Sequence, residues 1–121
     1  MNDNAKRFIQ FLKETKESQI FGTLHNKCGY CVLGLACLFY EKETGKKLKK
    51  SKNGFYTEVI LTNKYAKVRK WLGLKSSSGV FNQNNFDKHD FGSLATLNDN
   101  YKIKFPHLAI ICEEFSEELF E

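Results

Sequence analysis

The chain has 121 residues, of which 41% are hydrophobic and 27% are charged, and its formal net charge is +5. This length predicts one domain over residues 1–121 with enough apolar residues for a single core. No apolar run approaches the roughly 20 residues that a membrane-spanning helix needs. The first residues also lack the basic and apolar segments of a signal peptide. We therefore expect a cytoplasmic protein that does not enter a membrane.

Two helices are predicted in the first third of the chain. Residues 4–17 carry apolar side chains at helical spacing, which predicts an amphipathic helix. Residues 31–43 begin with a segment that is apolar almost all round, which predicts a helix in the middle of the core. Gly34 would let another backbone approach this helix closely, and Gly45 is suited to the left-handed residue that ends it.

The segments between the helices predict loops and short β elements. Residues 20–24 favour a β-strand, and residues 25–29 predict a tight turn. Residues 46–54 predict a basic loop, and residues 55–61 alternate imperfectly, so the sequence leaves residues 46–61 open between loop and strand. Residues 76–85 form the most polar stretch, which predicts a loop.

Three further helices are predicted in the second half. One covers residues 64–72 and ends at Gly73, and a short one near residues 93–98 has Asp90 as its candidate cap. A final helix over residues 106–119 begins with a proline in its first turn. The prediction is an α+β fold that is mainly helical, with about five helices and one or two short β elements.

Positive charge is concentrated in the middle of the chain. Residues 42–75 hold eleven Lys or Arg and two acidic residues, a local net charge of +9, whereas the last nine residues carry five glutamates and no base. Such a field can steer an oppositely charged partner. The candidate binding residues are Lys46, Lys47, Lys49, Lys50, Lys52, Arg69 and Lys70. The alternatives are a solvated loop without a ligand and a contact between the acidic tail and the chain's own residues 46–52.

Cys28, Cys31 and Cys37 lie within ten residues of one another, and Cys112 is distant. Without an export signal we expect free thiols rather than disulfides. A zinc site is disfavoured because Cys31 and Cys37 are six positions apart, about 120° around a helix. A thioredoxin-like redox motif is disfavoured because that fold needs a strand-rich frame and a cis-proline opposite the motif, whereas the single proline of this chain lies at a predicted helix start. No metal ion or other cofactor is expected.

Nucleophilic catalysis is a further interpretation of this cluster. Cys28-Gly29-Tyr30-Cys31 is similar to the Cys-Gly-Ser-Cys of papain-like proteases, where the second cysteine opens a buried helix. Cys31 or Cys28 would then be the nucleophile, with His25 as base and Asp99 to orient it. Other candidate partners are His89, His107 and Asn98. The competing interpretation makes Cys31, Cys37 and Cys112 core residues, Cys28 an exposed thiol, and the Asn98-Asp99 pair a helix–turn junction.

Four short motifs are typical of one family. They are Phe21-Gly22, Cys31-Val32-Leu33-Gly34-Leu35-Ala36, Trp71-Leu72-Gly73-Leu74 and Leu97-Asn98-Asp99 before the last helix. Over about residues 20–120 the chain resembles small uncharacterised proteins of bacteria, phages and prophages. It departs from them by its lysine loop and at Lys104-Phe105-Pro106, where a Ser or Thr cap is usual. The resemblance implies a small cytoplasmic accessory protein encoded by a phage, and it implies no activity.

These observations favour a non-enzymatic protein that binds and inhibits or sequesters a host macromolecule or a phosphorylated small ligand. The chain has no glycine-rich phosphate loop, no metal-binding helix pair and no Gly-x-Ser-x-Gly nucleophile turn. Nucleic acid is a less favoured partner because the last predicted helix is acidic. The oligomeric state stays open, a dimer included. The alternative function is a cysteine-dependent, papain-like hydrolase or transferase with Cys31 or Cys28 as nucleophile.

Overall fold

A computed structural model describes residues 1–81 and 92–121. Within these ranges it contains six α-helices, one 3₁₀ turn and a two-stranded antiparallel sheet, so the predicted α+β, mainly helical class is confirmed. In chain order the elements are α1 (Asp3–Glu14), β1 (His25–Asn26), β2 (Gly29–Tyr30), α2 (Val32–Thr44), the 3₁₀ turn (Asn63–Tyr65), α3 (Ala66–Leu72), α4 (Leu94–Asp99), α5 (Phe105–Glu114) and α6 (Ser116–Leu119). The candidate residues His89 and Asp90, and residues 82–85 of the predicted polar loop, lie outside the described residues.

Helix α2 lies at the centre of the core, as its apolar sequence predicts. Eight of its residues are buried. Helix α1 packs against α2 and α5, and α2 also contacts α3 and α4. No helix in residues 1–81 or 92–121 is both long and apolar enough to cross a membrane.

A direct backbone contact fixes the chain before the sheet against α2. A Cβ atom added to Gly34 would lie 1.8 Å from the carbonyl oxygen of Leu24. The same carbonyl accepts a hydrogen bond of 3.1 Å from the backbone N–H of Cys31. The predicted close approach at Gly34 is therefore confirmed, and it brings the hairpin formed by β1 and β2 against the start of α2.

The helix ends largely follow the sequence signals. Gly45 and Gly73 adopt left-handed conformations, with φ of 71° and 70°, and end α2 and α3. Ser93 caps α4 by accepting a hydrogen bond of 3.0 Å from the backbone N–H of Thr96. The two β-strands flank the predicted turn, where the side chain of Asn26 accepts from the backbone N–H of Cys28 at 2.7 Å.

Two predicted elements are wrong, and one that the sequence left open is resolved. Residues 20–24 are not a strand, because the backbone N–H of Ile20 binds the Tyr30 carbonyl whereas that of Leu24 binds the Glu58 carbonyl, so no single neighbour pairs with the segment. Residues 55–61 are not a strand, because their backbone N–H groups bind separate acceptors: Tyr56 binds His25, Thr57 binds the Tyr65 hydroxyl and Leu61 binds the Ser77 carbonyl. The final helix divides into α5 and α6 at Phe115, whose φ of −108° and ψ of 29° are not helical. This break returns the chain to the core, where Lys75 donates to the Leu119 carbonyl at 2.8 Å and Glu121 donates to the Gly73 carbonyl at 2.7 Å.

The contact at Gly34 predicts a large effect of one added methyl group. We expect Gly34→Ala to destabilise the protein by about 2 kcal/mol or more, because forced overpacking outweighs the better helix propensity of alanine. Chemical denaturation measures this change, and circular dichroism checks that the helix content is kept. An unchanged or raised free energy of unfolding would contradict the backbone contact with Leu24.

Candidate functional site

A cleft lies on the outer side of the hairpin. Its volume is about 320 Å³. The lining residues are Glu17, Ser18, His25, Asn26, Lys27, Cys28, Gly29, Tyr30 and Phe55. We call it the hairpin cleft. Two of the residues proposed for cysteine catalysis, His25 and Cys28, line this cleft, whereas Cys31 and Asp99 do not.

His25 is held by aromatic rings and by one backbone group. Its ring stacks on Tyr30 with centroids 4.1 Å apart and meets Phe55 edge-on at 4.9 Å. Its Nδ1 atom accepts a hydrogen bond of 3.4 Å from the backbone N–H of Tyr56. A nitrogen that accepts carries no proton, so neutral His25 is protonated on Nε2. In this state the ring can donate a hydrogen bond from Nε2 but cannot take a proton from a thiol there.

Cys31 is buried at the first turn of α2. Its Sγ atom accepts a hydrogen bond of 3.3 Å from the backbone N–H of Gly34, so the thiol caps the helix. Burial raises the pKa of Cys31 to about 12, although the bond to Gly34 lowers it. Burial likewise raises the pKa of Cys112 to about 12 and that of Cys37 well above its usual value. These three thiols are packed in the core, which leaves Cys28 as the exposed free thiol among the four.

Asn98 and Asp99 have structural roles at the end of α4. The Asn98 side chain is fully buried, and its Oδ1 atom accepts from Gln19 Nε2 at 2.8 Å and from the backbone N–H of Val32 at 3.1 Å. Its Nδ2 atom donates to the Ile20 carbonyl at 2.9 Å and to Asp99 Oδ1 at 2.8 Å. These contacts hold the carboxylate of Asp99 beside Asn98, with no bond to His25 in the described part of the chain.

The second candidate surface is the lysine loop, which we define as residues 46–52. Glu41, at the last turns of α2, accepts from the backbone N–H of Leu48 at 2.7 Å, from Lys50 Nζ at 2.8 Å and from the Tyr56 hydroxyl at 2.7 Å. Burial raises the pKa of Glu41, but its bonds to Lys50, Tyr56 and Leu48 outweigh this and lower it overall. The loop is therefore tied to α2 by an ionised, partly buried carboxylate.

The loop is closed at its other end by one side-chain bond to its backbone and by one backbone hydrogen bond. The Tyr65 hydroxyl donates to the Lys49 carbonyl at 2.6 Å, and the backbone N–H of Ser51 donates to the Phe55 carbonyl at 2.8 Å. Leu48 is buried in the core. The loop thus has a fixed course, with Leu48 directed inward and its neighbours outward.

Two predicted binding residues already have partners within the chain, although Lys50 is itself exposed. Lys50 pairs with Glu41 and lies 5.4 Å from the centre of the Tyr56 ring. Arg69 is half-buried, donates to the Lys75 carbonyl at 2.9 Å, and has a buried Nε atom without a hydrogen-bond partner in the described residues. The other candidates are exposed: Lys46, Lys47, Lys49, Lys52 and Lys70.

The acidic tail lies elsewhere. Glu113 pairs with Lys13 of α1 at 3.0 Å, and the carbonyl of Glu117 accepts from Lys75 at 2.7 Å. In residues 1–81 and 92–121, the expected contact between this tail and the lysine loop is therefore not formed. The same ranges contain no group of three His, Cys, Asp or Glu residues placed to hold a metal ion.

The sequence analysis missed Glu41 and Tyr56, which organise the lysine loop. A signal for Glu41 was present, because it follows the buried Cys37 by four residues and so continues its face of the helix. Only one further acidic residue, Glu43, lies between Glu41 and the run of lysines that begins at Lys46. Tyr56 gave no such signal, since its partners His25 and Glu41 are brought to it only by the tertiary fold.

The cysteine environments predict a single reactive thiol. We expect iodoacetamide at pH 7.5 to alkylate Cys28 in the native protein and to leave Cys31 and the other two cysteines unmodified, because burial disfavours their thiolates. Peptide mass spectrometry after a time course measures the site, with the urea-unfolded protein as the control in which all four react. Fast alkylation of Cys31 in the native protein would restore it as a candidate nucleophile.

The environment of His25 predicts a pH dependence of stability. Burial, followed by the charge of Lys50, lowers the pKa of His25 from 6.5, against the opposing charges of Glu17 and Glu41. The unfolded chain therefore binds more protons below about pH 6.5, and the stability contributed by neutral His25 is lost as the pH falls through its lowered value. We expect the free energy of unfolding to decrease as the pH falls below about 6.5.

Urea denaturation at a series of pH values measures this dependence. His25→Gln keeps an acceptor for Tyr56 and cannot be protonated, so its profile should be flatter over the same range. His107→Gln, on an exposed position of α5, is the matched control and should follow the wild type. Equal slopes for the wild type and His25→Gln would contradict the assignment. Glu41 also contributes to the pH dependence of stability, but in a separate range. Because folding lowers its pKa from 4.5, the stability that it contributes is lost only as the pH falls below about 4.5.

Comparisons with known proteins give one match. No curated protein and no solved structure matches the chain. A family model described as a domain of unknown function matches residues 1–116, which is nearly the whole chain. The expectation of an uncharacterised family is confirmed at this level. The chain therefore belongs to the DUF8296 family.

Proposed function

We propose that this protein is a non-enzymatic accessory protein that binds an acidic surface of another protein through its lysine loop. The observation that carries the proposal is the exposure of Lys46, Lys47, Lys49 and Lys52 on a loop whose course is fixed by Glu41. The side chains of these four lysines make no ion pair within the described residues, so their charges are available to a partner.

The fixed course of the loop favours binding over a merely solvated charge cluster. A partner that meets a preorganised surface does not have to order it, which reduces the entropic cost of association. Glu41 orders the loop by accepting hydrogen bonds from the Lys50 ammonium and from the backbone N–H of Leu48, so its negative charge is neutralised inside the loop. The outward lysines keep their field, which increases the rate of encounter with an acidic surface.

A protein partner is favoured over nucleic acid by the type of cation. The exposed cations of the loop are all lysines, which act as point charges, whereas the planar fork of arginine suits phosphate recognition better. Helices α5 and α6 also carry acidic residues and offer no basic recognition helix.

The biological setting is part of the proposal. The resemblance to small proteins of bacteria, phages and prophages supports a phage-encoded protein whose partner is a host protein that it sequesters or inhibits. Four free cysteines support a reducing compartment such as the cytoplasm.

Two observations weigh against the cysteine-enzyme alternative. The Cys31 thiol is buried with a raised pKa, so it is protonated at neutral pH. Cys28 is exposed, but His25 beside it presents a protonated Nε2 and so cannot act as the base in this arrangement. The native alkylation experiment described above also tests this alternative.

The proposal predicts a loss of binding when the outward charges are removed. Poly-L-glutamate serves as a model acidic chain, and biolayer interferometry measures its affinity. We expect the triple variant Lys46→Gln, Lys47→Gln, Lys52→Gln to weaken this affinity about tenfold, because each exposed charge pair contributes about 0.2–1 kcal/mol. Added salt should weaken the wild-type binding and should affect the variant less.

A matched control changes the net charge by the same amount at other exposed positions. Lys6→Gln, Lys16→Gln and Lys67→Gln lie outside the lysine loop. This variant should keep most of the wild-type affinity. Equal losses in the two triple variants would show binding by net charge alone, and tighter binding to single-stranded DNA than to poly-L-glutamate would favour nucleic acid. Either result would overturn the proposal.

A further inference from the structure

The hairpin cleft has the form of a small-molecule site that the lysine-loop proposal does not use. Its volume of about 320 Å³ is near the lower end of the range for ligand pockets. The hairpin contributes His25 and Tyr30 to the lining, and the chain before it contributes Glu17 and Ser18. The cleft also includes Phe55, which is distant from both segments in sequence.

The walls of the cleft are fixed by backbone contacts. The Ser18 carbonyl accepts from the backbone N–H of Tyr30 at 2.9 Å, and Tyr30 in turn accepts from the N–H of Ile20 at 2.9 Å. Gly29 passes so close that an added Cβ would lie 2.1 Å from the Ser18 oxygen. Because these walls are already fixed, little conformational entropy of the protein is lost when a ligand binds.

The polar lining is rich in unused donors. The side-chain oxygen of Asn26 accepts a hydrogen bond from the backbone N–H of Cys28. The side-chain NH₂ of Asn26 has no hydrogen-bond partner within the described residues. The Ser18 hydroxyl and the Lys27 ammonium likewise have no hydrogen-bond partner within the described residues, and His25 adds its Nε2–H. Several donors along one cleft, one of them charged, match a phosphate group, which has only acceptors when it is doubly ionised.

The remaining lining residues restrict the ligand in two further ways. Glu17 is the one carboxylate among them, and it repels a bare anion but accepts hydrogen bonds from hydroxyl groups. The rings of His25, Tyr30 and Phe55 are also among the lining residues and pack on one another, with the His25 centroid 4.1 Å from Tyr30 and 4.9 Å from Phe55. A ligand that satisfies all of these groups carries a phosphate, several hydroxyls and an apolar face.

We propose that the hairpin cleft binds a small sugar phosphate. The phosphoryl group is recognised by Lys27, Asn26 and Ser18, the hydroxyl groups by Glu17, and the carbon face of the sugar ring packs on the aromatic rings of the lining. This inference does not depend on the lysine loop or on its partner.

Cys28 gives a direct readout, because its exposed thiol lines the cleft. Ribose 5-phosphate is the probe, and the rate of Cys28 alkylation by iodoacetamide is measured by mass spectrometry. At ten times its Kd, the bound ligand should slow alkylation about tenfold by mass action. Ribose alone and inorganic phosphate alone, at the same concentration, should protect much less. Protection by inorganic phosphate equal to that by ribose 5-phosphate would overturn the sugar assignment.

Matched variants test the site itself. Lys27→Gln removes the charged donor from an exposed turn position and should raise the Kd about tenfold or more, because hydrogen bonds to charged groups are the stronger ones. Lys16→Gln makes the same change beside the cleft but outside its lining, and it should leave protection unchanged. Each rate is compared with that of the same variant without ligand. No protection in the wild type, or equal protection in both variants, would overturn the proposal.

The lysine-loop variant separates this inference from the proposed function. Lys46→Gln, Lys47→Gln, Lys52→Gln should retain full protection of Cys28 by ribose 5-phosphate while it loses affinity for poly-L-glutamate. Loss of both properties in that variant would contradict an independent site in the cleft.

Discussion

The arrangement of this fold depends on one buried amide. Asn98 uses both lone-pair directions of its oxygen and both protons of its nitrogen, with partners on the chain before the hairpin, at the start of α2 and at the end of α4. Removing this side chain would leave the backbone groups of Val32 and Ile20 buried without partners, at about 1–3 kcal/mol each. These four bonds join the end of α4 to the chain before the hairpin and to the start of α2, and so they help to fix where the hairpin lies on α2.

Tyr56 extends this constraint from the hairpin to the surface. The hairpin presents His25 to the backbone of Tyr56, and the Tyr56 hydroxyl donates to Glu41, which holds the lysine loop. The two candidate surfaces, the hairpin cleft and the lysine loop, are therefore built on opposite sides of one residue, Tyr56. Burial, and then the bond to Glu41, raises the pKa of Tyr56, so the hydroxyl stays a donor. Both surfaces are rigid for the same reason, since each is anchored to α2.

Local sequence patterns predict the parts of this structure that local forces determine. The apolar segment of α2, the close approach at Gly34 and the helix end at Gly45 follow from residue type and spacing alone. The segment 55–61 has the composition of a strand, but no strand in residues 1–81 or 92–121 pairs with it, and pairing is a tertiary property. Lys50 is the same residue type as the other lysines of the loop, and only the tertiary position of Glu41 makes it part of an ion pair within the chain. The free lysines and the cleft donors become recognisable once these long-range contacts are known.

The cysteines illustrate how competing physical effects decide which surface can act. The first turn of a helix favours a thiolate through its N–H groups, and Cys31 does accept such a bond from Gly34. Burial opposes this effect and prevails, since a pKa of about 12 leaves on the order of one thiolate in 10⁵ molecules at neutral pH. The helix terminus that resembles a catalytic motif is thus a packed cap in the core. Among the four thiols only Cys28 is exposed, and it lies in the hairpin cleft, away from this helix terminus.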